Sequence, residues 1–325
     1  MPGNVELKDY MGSGLSARAT PIAVFAYNRP GHTELLLESL ARCERLSECA
    51  VNIYCDGPKT SADDAAVKAT RKLVHDWAAR HDATIINRET NVGLARSIVS
   101  GVTELCERYG SVIVVEDDFV LNRSFIDYLL QALERYRDDE NVYQISAYMF
   151  PVRHPDKPDA FFLPLTTTWG WATWARAWRV FDWNVSGVAA RLQDAALRRK
   201  FDLDNSYPYS AMLEQRLRGA NDSWGILFWW AVFNHGGLVL HPRETLLTVG
   251  GFDGSGTHAG NYSWSVNGSM RSGKWDFQLP QQVVVDPDAF KRIKRFLRSE
   301  QYPKSLVGRI WRRLGRLKRE RADRQ

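Results

Sequence analysis

Residues 111–119, SVIVVEDDF, constrain the fold of this chain more than any other stretch. The β-branched run VIVV is typical of a strand that is buried on both faces, as in a parallel sheet covered by helices. Three carboxylates, Glu116, Asp117 and Asp118, follow it directly. Ligands of open α/β sheets bind beyond the carboxyl ends of the strands, and oxygen ligands suit Mg²⁺ or Mn²⁺. The stretch therefore indicates a metal site, with a solvated acidic turn as the alternative.

Strand and helix patterns alternate through residues 21–150. Short apolar runs such as PIAVFAY, AVNIYC and ATIINR predict strands, and the segments between them predict helices. A further helix and the strand VYQISAY follow the acidic cluster. Strands that alternate with helices favour right-handed βαβ units. We therefore predict an α/β fold, with a mainly parallel sheet flanked by helices, after an unstructured stretch at residues 1–20.

The regular pattern loosens after residue 150. In WGWATWARAWRVFDW, Trp171, Trp174 and Trp178 recur at helical spacing, which predicts a helix packed on the sheet. The alternative is that Trp169 and Trp171 wall a pocket, where an indole face packs on the apolar face of a sugar ring. The later run GGFDGSGTHAG, which contains His258, is too rich in glycine for regular structure and predicts a loop.

Polar residues follow each of the first four predicted strands. They are Asn28 and Arg29 after the first strand, Asp56 after the second, Arg88 and Asn91 after the third, and Glu116, Asp117 and Asp118 after the fourth. The carboxyl ends of parallel strands meet at one edge of a sheet, so we expect these side chains to converge on one crevice. This convergence indicates a ligand site more strongly than any single motif does.

Three other candidates have structural alternatives. Asp56, before Gly57, is suited to accept a hydrogen bond from a base or ribose, or to cap a turn. Arg96, one turn into the third predicted helix, is either a contact for a phosphate or base or a surface cation. His258 is either a second metal or phosphate ligand, on a loop that closes over the bound ligand, or an ordinary loop histidine.

Several enzyme classes lack their motifs in this sequence. No P-loop and no GxGxxG fingerprint occurs at a strand-to-helix turn, which disfavours an ATPase or a dehydrogenase. There is no GxSxG elbow, and the four cysteines have neither zinc-like spacing nor a histidine partner. No apolar run is long enough for a membrane-spanning helix. We therefore expect a cytoplasmic protein with reduced, structural thiols.

The formal charge of +5 is unevenly distributed. Residues 291–325 contain 14 basic and three acidic residues, whereas residues 1–290 contain 29 basic and 35 acidic ones. Residues 1–290 therefore carry a net negative charge and no general basic face, which argues against a nucleic-acid partner.

Residues 289–325 have apolar residues at helical spacing, with Arg and Lys on the other face. This pattern suits peripheral binding to an anionic membrane surface, here the cytoplasmic face of the inner membrane. The alternative is a helix docked on the domain.

The ordered series FAYNRP, YCDGPK, NVGLARS, VIVVEDDF, VYQISAY, GWATWARAW and NDSW resembles the GT-A fold of nucleotide-sugar-dependent glycosyltransferases. It is most similar to bacterial relatives of the Golgi β-1,2-N-acetylglucosaminyltransferase family. The likeness covers about residues 20–260, and EDD in place of the commoner DxD is its most specific element. It implies a Rossmann-like GT-A domain at residues 21–288, with a nucleotide-sugar half (21–150) and an acceptor half (151–288), and a helical basic tail at residues 289–325.

The resemblance also implies roles for individual residues. Asp118 would bind the divalent metal, Mn²⁺ or Mg²⁺, that bridges the donor diphosphate, and Asp117 and Glu116 would serve the ribose and the sugar. Asp56 would contact the base, and Asp222 in NDSW would be the catalytic base. The helical segment of roughly 40 residues between GWATW and NDSW departs from the family pattern.

The implied function is metal-dependent, inverting transfer of a sugar from a nucleotide sugar, with UDP as the expected nucleotide, to a hydroxyl of a glycan or glycolipid. A metal offsets charge on the departing diphosphate, and a single base takes the hydroxyl proton. One alternative is a sugar nucleotidyltransferase, although NRPGHT is a poor version of the Gly-rich basic loop expected there. The other is a non-catalytic module that binds glycan or cation.

Overall fold

The computed structural model describes residues 19–154, 157–185, 187–250 and 277–301. Its strands are β1 (Thr20–Ala26), β2 (Cys49–Cys55), β3 (Thr84–Asn87), β4 (Ser111–Glu116), β5 (Phe119–Leu121), β6 (Val142–Ser146), β7 (Ala160–Leu163), β8 (Trp171–Trp174), β9 (Leu238–Pro242) and β10 (Leu247–Val249). Its α-helices are α1 (Pro30–Ala41), α2 (Asp64–His81), α3 (Leu94–Tyr109), α4 (Phe125–Arg135), α5 (Ala175–Trp178), α6 (Val188–Arg191), α7 (Ala195–Phe201), α8 (Tyr209–Leu217), α9 (Trp224–Asn234) and α10 (Pro287–Gln301).

Eight strands form one sheet in the order β3-β2-β1-β4-β8-β6-β9-β7. The neighbours β3, β2, β1 and β4 are parallel, as are β6 and β9. Only β8 and β7 run against their neighbours in this sheet. The predicted α/β fold class is therefore confirmed: a mainly parallel sheet is flanked by helices, and a further helix, α10, follows the sheet in the described part of the chain.

The central strand β1 is buried because helices cover both faces of the sheet. Ile22 and Val24 belong to a main core that includes side chains of α1, α2 and α4. Ala23 and Phe25 belong to a second core that includes side chains of α3 and α9. Successive side chains of a strand point to opposite faces of the sheet. A strand with helices on both faces therefore needs apolar residues at every position and not only at alternate ones.

The tryptophan-rich segment forms a strand followed by a short helix, not the single helix that its spacing predicts. Trp171–Trp174 is β8, which lies between β4 and β6, and α5 is limited to Ala175–Trp178. All four residues of β8 are buried, and its side chains supply both cores. An apolar run that faces two cores cannot be distinguished from a buried helix by spacing alone.

A two-stranded ribbon follows the acidic cluster. β5 pairs with β10, and Gly250 donates its backbone N–H to the carbonyl oxygen of Asp118 at 2.6 Å. The ribbon therefore fixes the backbone on the C-terminal side of the carboxylates. The glycine-rich loop predicted to follow, with His258, lies outside the described residues apart from its first glycine.

The first part of the predicted basic tail belongs to the folded body. Helix α10 buries Ala289, Ile293 and Leu297 in the main core, with exposures of 0%, 0% and 2%. Lys294 pairs with Asp204 at 2.7 Å. The packing of α10 matches the alternative of a helix docked on the domain, because its apolar face is buried there and is not available to a membrane; the domain boundary at residue 289 remains a prediction. Residues 302–325 lie outside the described ranges, and the membrane prediction for them remains a prediction.

Three smaller expectations concern the termini and the thiols. The stretch predicted to be unstructured, residues 1–20, lies outside the described residues except for its last two. In the part of the chain that the structure describes, no helix has both the length and the apolar composition of a membrane span. The four cysteines are free, and three of them are buried, as expected of structural thiols.

The packing of α10 generates a stability prediction. Ile293→Ala should lower the free energy of unfolding by about 2 to 5 kcal/mol, the usual cost of emptying a buried Ile site. Lys291→Ala, on the exposed face of the same helix, should change it by no more than about 0.5 kcal/mol. Urea unfolding of both variants measures the difference. Equal stability of the two variants would contradict the docking of α10.

Candidate active site

The acidic cluster lies beside the end of β1. Phe25 pairs with Glu116 in the parallel register of β1 and β4, which brings the residues that follow them together. Arg29 forms one ion pair with Asp117 and a second, at 3.4 Å, with Asp118. The polar groups that follow the first and fourth strands therefore meet at one edge of the sheet.

Burial opposes the negative charges of this cluster. It raises the pKa of Asp117 to about 6, an effect that the neighbouring Arg29 guanidinium counteracts. The pKa of Glu116 lies well above its ordinary value because of burial first, and then because of Asp118 and Asp117. Burial also raises the pKa of Asp118, and Arg29 again counteracts it. A cation beside these carboxylates therefore stabilises their charged forms.

The cluster fits a divalent cation that is bound together with a substrate. Mg²⁺ and similar ions prefer oxygen ligands and are commonly held by one or two carboxylates plus substrate phosphates. Among the described residues, no three His, Cys, Asp or Glu side chains form a ready-made metal site. Instead, the Arg29 guanidinium bridges Asp117 and Asp118, so a metal would have to share or displace a cation that is already there.

Asp56 joins the loops that follow β2 and β3. Its Oδ1 accepts the backbone N–H groups of Gly57 at 2.9 Å and Val92 at 3.0 Å, and its Oδ2 accepts that of Gly93 at 3.0 Å. Gly57 is needed there, because an added Cβ would lie 2.5 Å from the backbone of Thr90. Both oxygens of Asp56 are thus engaged by the backbone, which matches the turn-capping alternative. A contact with a base remains a prediction.

The remaining polar candidates have surroundings of their own. The side-chain amide of Asn28 donates to Asp63 at 2.9 Å, just before α2 begins. Arg96 is exposed in the first turn of α3. His258 lies outside the described residues. The ligand contacts assigned to these three residues from the sequence therefore remain predictions.

Trp171 does not line a pocket. It is fully buried in the second core, where its ring stacks on Trp224 with a centroid separation of 5.4 Å. Its ring centroid also lies 5.9 Å from that of Trp178. The prediction that Trp171 contacts a ligand is therefore wrong, because β8 directs this side chain into the helix-covered face of the sheet. The neighbouring Trp169, in contrast, is half-buried and lines a cleft.

This aromatic cleft is lined by Trp169 and by other residues from the range 150–229, together with Leu297 of α10. In the antiparallel register of β4 and β8, Val114 pairs with Trp171. The start of β8 therefore lies at the sheet edge where β4 ends, and Trp169 comes two residues before β8 begins. Ser223, the N-cap residue of α9, also lines the cleft.

Asp222 is the sequence neighbour of a residue that lines the aromatic cleft. It is exposed and directly precedes Ser223. Asn221 fixes this turn, since its amide donates to the carbonyl of Met212 at 3.1 Å and its side-chain oxygen accepts the N–H of Ser223 at 3.1 Å. The structure thus brings an exposed carboxylate close to the cleft, which is the arrangement that a base acting on a bound hydroxyl needs. Its catalytic role remains a prediction.

Sequence reasoning missed most of the cleft. Tyr207, Tyr209 and Met212 line it together with Trp229 of α9 and Leu297 of α10. No motif marks these residues, because they come from separate segments that meet only through packing. The two tyrosines in SYPYS are the one local signal that reasoning from the sequence could have used.

Comparison with known proteins finds similarity at the level of fold. No protein-family model and no curated protein matches the chain. Among solved structures, a TarS fragment from S. aureus, residues 1–349, is 13% identical, with a TM-score of 0.42 over 72% of this chain and 61% of that one. GalNAc-T7 with UDP, GalNAc and Mn²⁺ is 9% identical, with a TM-score of 0.45 over 70% of this chain and 43% of that one.

The mannosyltransferase PcManGT from Pyrobaculum calidifontis, in complex with GDP-Man and Mn²⁺, is 13% identical, with a TM-score of 0.36 over 67% of this chain and 75% of that one. The chain thus spans less than two thirds of the TarS fragment and of GalNAc-T7. Similarity at this level concerns the fold alone, so no donor, metal or activity is transferred from these proteins. The narrower resemblance to the Golgi transferase family remains a prediction.

The Arg29 bridge generates a prediction about the metal-free protein. Arg29→Met should lower its free energy of unfolding at neutral pH by about 3 kcal/mol, because buried carboxylates lose their paired cation. Added Mn²⁺ should stabilise this variant more than the wild type, since no guanidinium competes for the carboxylates. Thermal unfolding in chelator and in Mn²⁺ measures both effects.

The control is Arg42→Met, which removes a cation of similar size from an exposed ion pair with Glu38. It should change stability by no more than about 0.5 kcal/mol and leave the response to Mn²⁺ unaltered. If Arg29→Met in chelator is as stable as this control, the guanidinium does not offset the charge of the cluster.

Proposed function

We propose that this protein is a metal-dependent, inverting glycosyltransferase that moves a sugar from a nucleotide sugar, expected to be a UDP-sugar, to a hydroxyl of a glycan or lipid-linked glycan. The observation that carries the proposal is the juxtaposition at one edge of the sheet. The carboxylates paired with Arg29 follow β4, Trp169 of the aromatic cleft precedes β8 at that same edge, and Asp222 directly precedes Ser223 of the cleft lining.

The charged half of the site is suited to the donor. Asp118 would hold the divalent cation, with Asp117 and Glu116 oriented towards the ribose and sugar. When bound, the cation offsets negative charge on the departing diphosphate. Arg29 contributes a second positive charge that is already directed at this edge, and it is suited to bind a phosphate once a metal engages the carboxylates.

Asp222 is the residue proposed to take the proton from the acceptor hydroxyl. A base on the side of the cleft, opposite a diphosphate held at the carboxylates, implies in-line displacement and inversion at the transferred carbon. Two other carboxylates of this half are engaged elsewhere: Asp182 accepts the N–H of Asn184 at 2.9 Å, and Asp204 pairs with Lys294. These contacts favour Asp222 as the base.

A screen of nucleotide sugars by thermal shift, with Mn²⁺ and with chelator, tests the proposal, because a bound donor stabilises the fold by mass action. A glycosyltransferase should be stabilised by one nucleotide sugar in the presence of metal and should transfer the sugar intact. Release of pyrophosphate from a nucleoside triphosphate and a sugar phosphate would identify the nucleotidyltransferase alternative. Binding of free glycan without any response to nucleotide sugar would identify the non-catalytic module.

Asp118→Asn should abolish the metal-dependent stabilisation by the donor and leave the protein folded, since Asp118 lies at the edge of the sheet. The matched control is Asp82→Asn, an exposed carboxylate in a left-handed position after α2 that asparagine also tolerates. Donor titration in Mn²⁺ measures both variants. Undiminished donor binding by Asp118→Asn would remove Asp118 from the metal site.

Asp222→Asn should retain donor and metal binding but lose transfer by about two to four orders of magnitude, the usual contribution of a general base. Asp182→Asn, another exposed carboxylate of the acceptor half, should keep near-normal turnover. Single-turnover transfer and donor titration separate chemistry from binding. A transfer rate within about threefold of wild type for Asp222→Asn would exclude it as the base.

A further inference from the structure

The aromatic cleft is a site that the donor chemistry does not use. Its volume is about 110 Å³, and Ser223, which directly follows the base proposed above, contributes to its lining. Ring systems of Trp169, Tyr207, Tyr209 and Trp229 line it, and Leu297 of α10 contributes to one wall.

The segment that carries Trp169 is held rigidly. The side-chain amide of the buried Gln144 donates to the carbonyl of Thr167 at 2.8 Å, and its oxygen accepts the N–H of Thr167 at 3.1 Å. The Thr167 hydroxyl lies 2.6 Å from that of Ser146. These contacts tie residues 166–168 of the cleft to strand β6, so this wall is preorganised for a ligand.

A buried carboxylate organises the second lining segment, which carries Tyr207 and Tyr209. Asp202 accepts the backbone N–H of Ser210 at 2.7 Å and the Ser210 hydroxyl at 2.7 Å. Its backbone carbonyl also accepts the N–H of Tyr207 at 3.2 Å. The rings of Tyr207 and Tyr209, both in the cleft lining, have centroids 4.6 Å apart. Both aromatic walls therefore exist without a ligand.

The described side chains that line the cleft carry no charge. They combine aromatic rings with hydroxyl groups, among them those of Thr166, Thr168 and Ser223. Burying a charged ligand group against this lining costs free energy, because no group of opposite charge pairs with it there. A pyranose, in contrast, presents an apolar C–H face to the aromatic rings and hydroxyl groups to the polar side chains. The lining thus selects for an uncharged, hydroxyl-rich ligand.

We propose that the aromatic cleft binds an uncharged sugar residue of the acceptor and presents one of its hydroxyls to Asp222. This inference rests on the proposed function and adds the class of acceptor to it. It excludes an acceptor whose bound unit is a uronic acid or a sugar phosphate. Charge is thereby divided within the site, with the anionic donor at the carboxylate edge and a neutral sugar in the cleft.

The test uses the full chain and a panel of neutral methyl glycosides of common hexoses and N-acetylhexosamines. Saturation-transfer difference NMR should detect at least one of them, while glucuronate and glucose 6-phosphate should give no signal and should not compete. Trp169→Ala should weaken that binding by about tenfold, whereas Trp169→Phe should retain most of it. Trp183→Ala, another half-buried tryptophan of this half that does not line the cleft, is the matched control and should bind as the wild type does.

Stabilisation by nucleotide sugar and Mn²⁺, measured on the same variants, separates the two proposals. Donor stabilisation that persists in Trp169→Ala, together with weaker glycoside binding, supports the cleft assignment. Wild-type protein that binds donor but no neutral glycoside overturns the cleft assignment alone. Equal binding of the anionic sugars, or equal loss in Trp183→Ala, also overturns it. If no nucleotide sugar stabilises the protein in Mn²⁺, the proposed function is overturned. The glycoside measurements then test only whether the cleft binds a neutral sugar.

Discussion

The compensation of buried negative charge at the end of β4 is the constraint on which the candidate site depends. A strand buried on both faces delivers Glu116, Asp117 and Asp118 to a place where burial raises the pKa of each. The parallel neighbour β1 delivers Arg29 to the same place, and its guanidinium bridges two of the carboxylates. The strand order therefore brings the guanidinium and the carboxylates together, because adjacent parallel strands have their carboxyl ends side by side.

The neighbouring loops are fixed by backbone hydrogen bonds and not by further charge. Asp56 accepts three backbone N–H groups from the turns after β2 and β3, and Gly57 permits the close approach of the two turns. A buried carboxylate that receives several N–H groups is well satisfied without a cation. The edge thus has one portion at Asp56 that is satisfied by backbone N–H groups and another at Asp118 whose countercharge is the side chain of Arg29.

The sequence predicted the sheet and its polar edge because both follow from local patterns. Runs such as VIVV identify strands that are buried on both faces. The residue after a parallel strand lies at the carboxyl edge of the sheet, and this holds for any arrangement of the other elements. Trp171 was misassigned because an apolar strand that supplies two cores has no alternation to separate it from a helix. The cleft could not be predicted, since Trp169, Tyr207 and Leu297 meet only through tertiary packing.

The packing of α10 links the C-terminal helix to one half of the site only. Ile293 lies in the main core, and Leu297, one turn further on, is both a core residue and part of the cleft wall. Any shift of this helix therefore moves a wall of the aromatic cleft. The carboxylates are held separately, by β1, β4 and the β5–β10 ribbon. The aromatic cleft and the charged edge are consequently supported by different packing contacts, so changes in α10 should alter the shape of the cleft before they alter the charged edge.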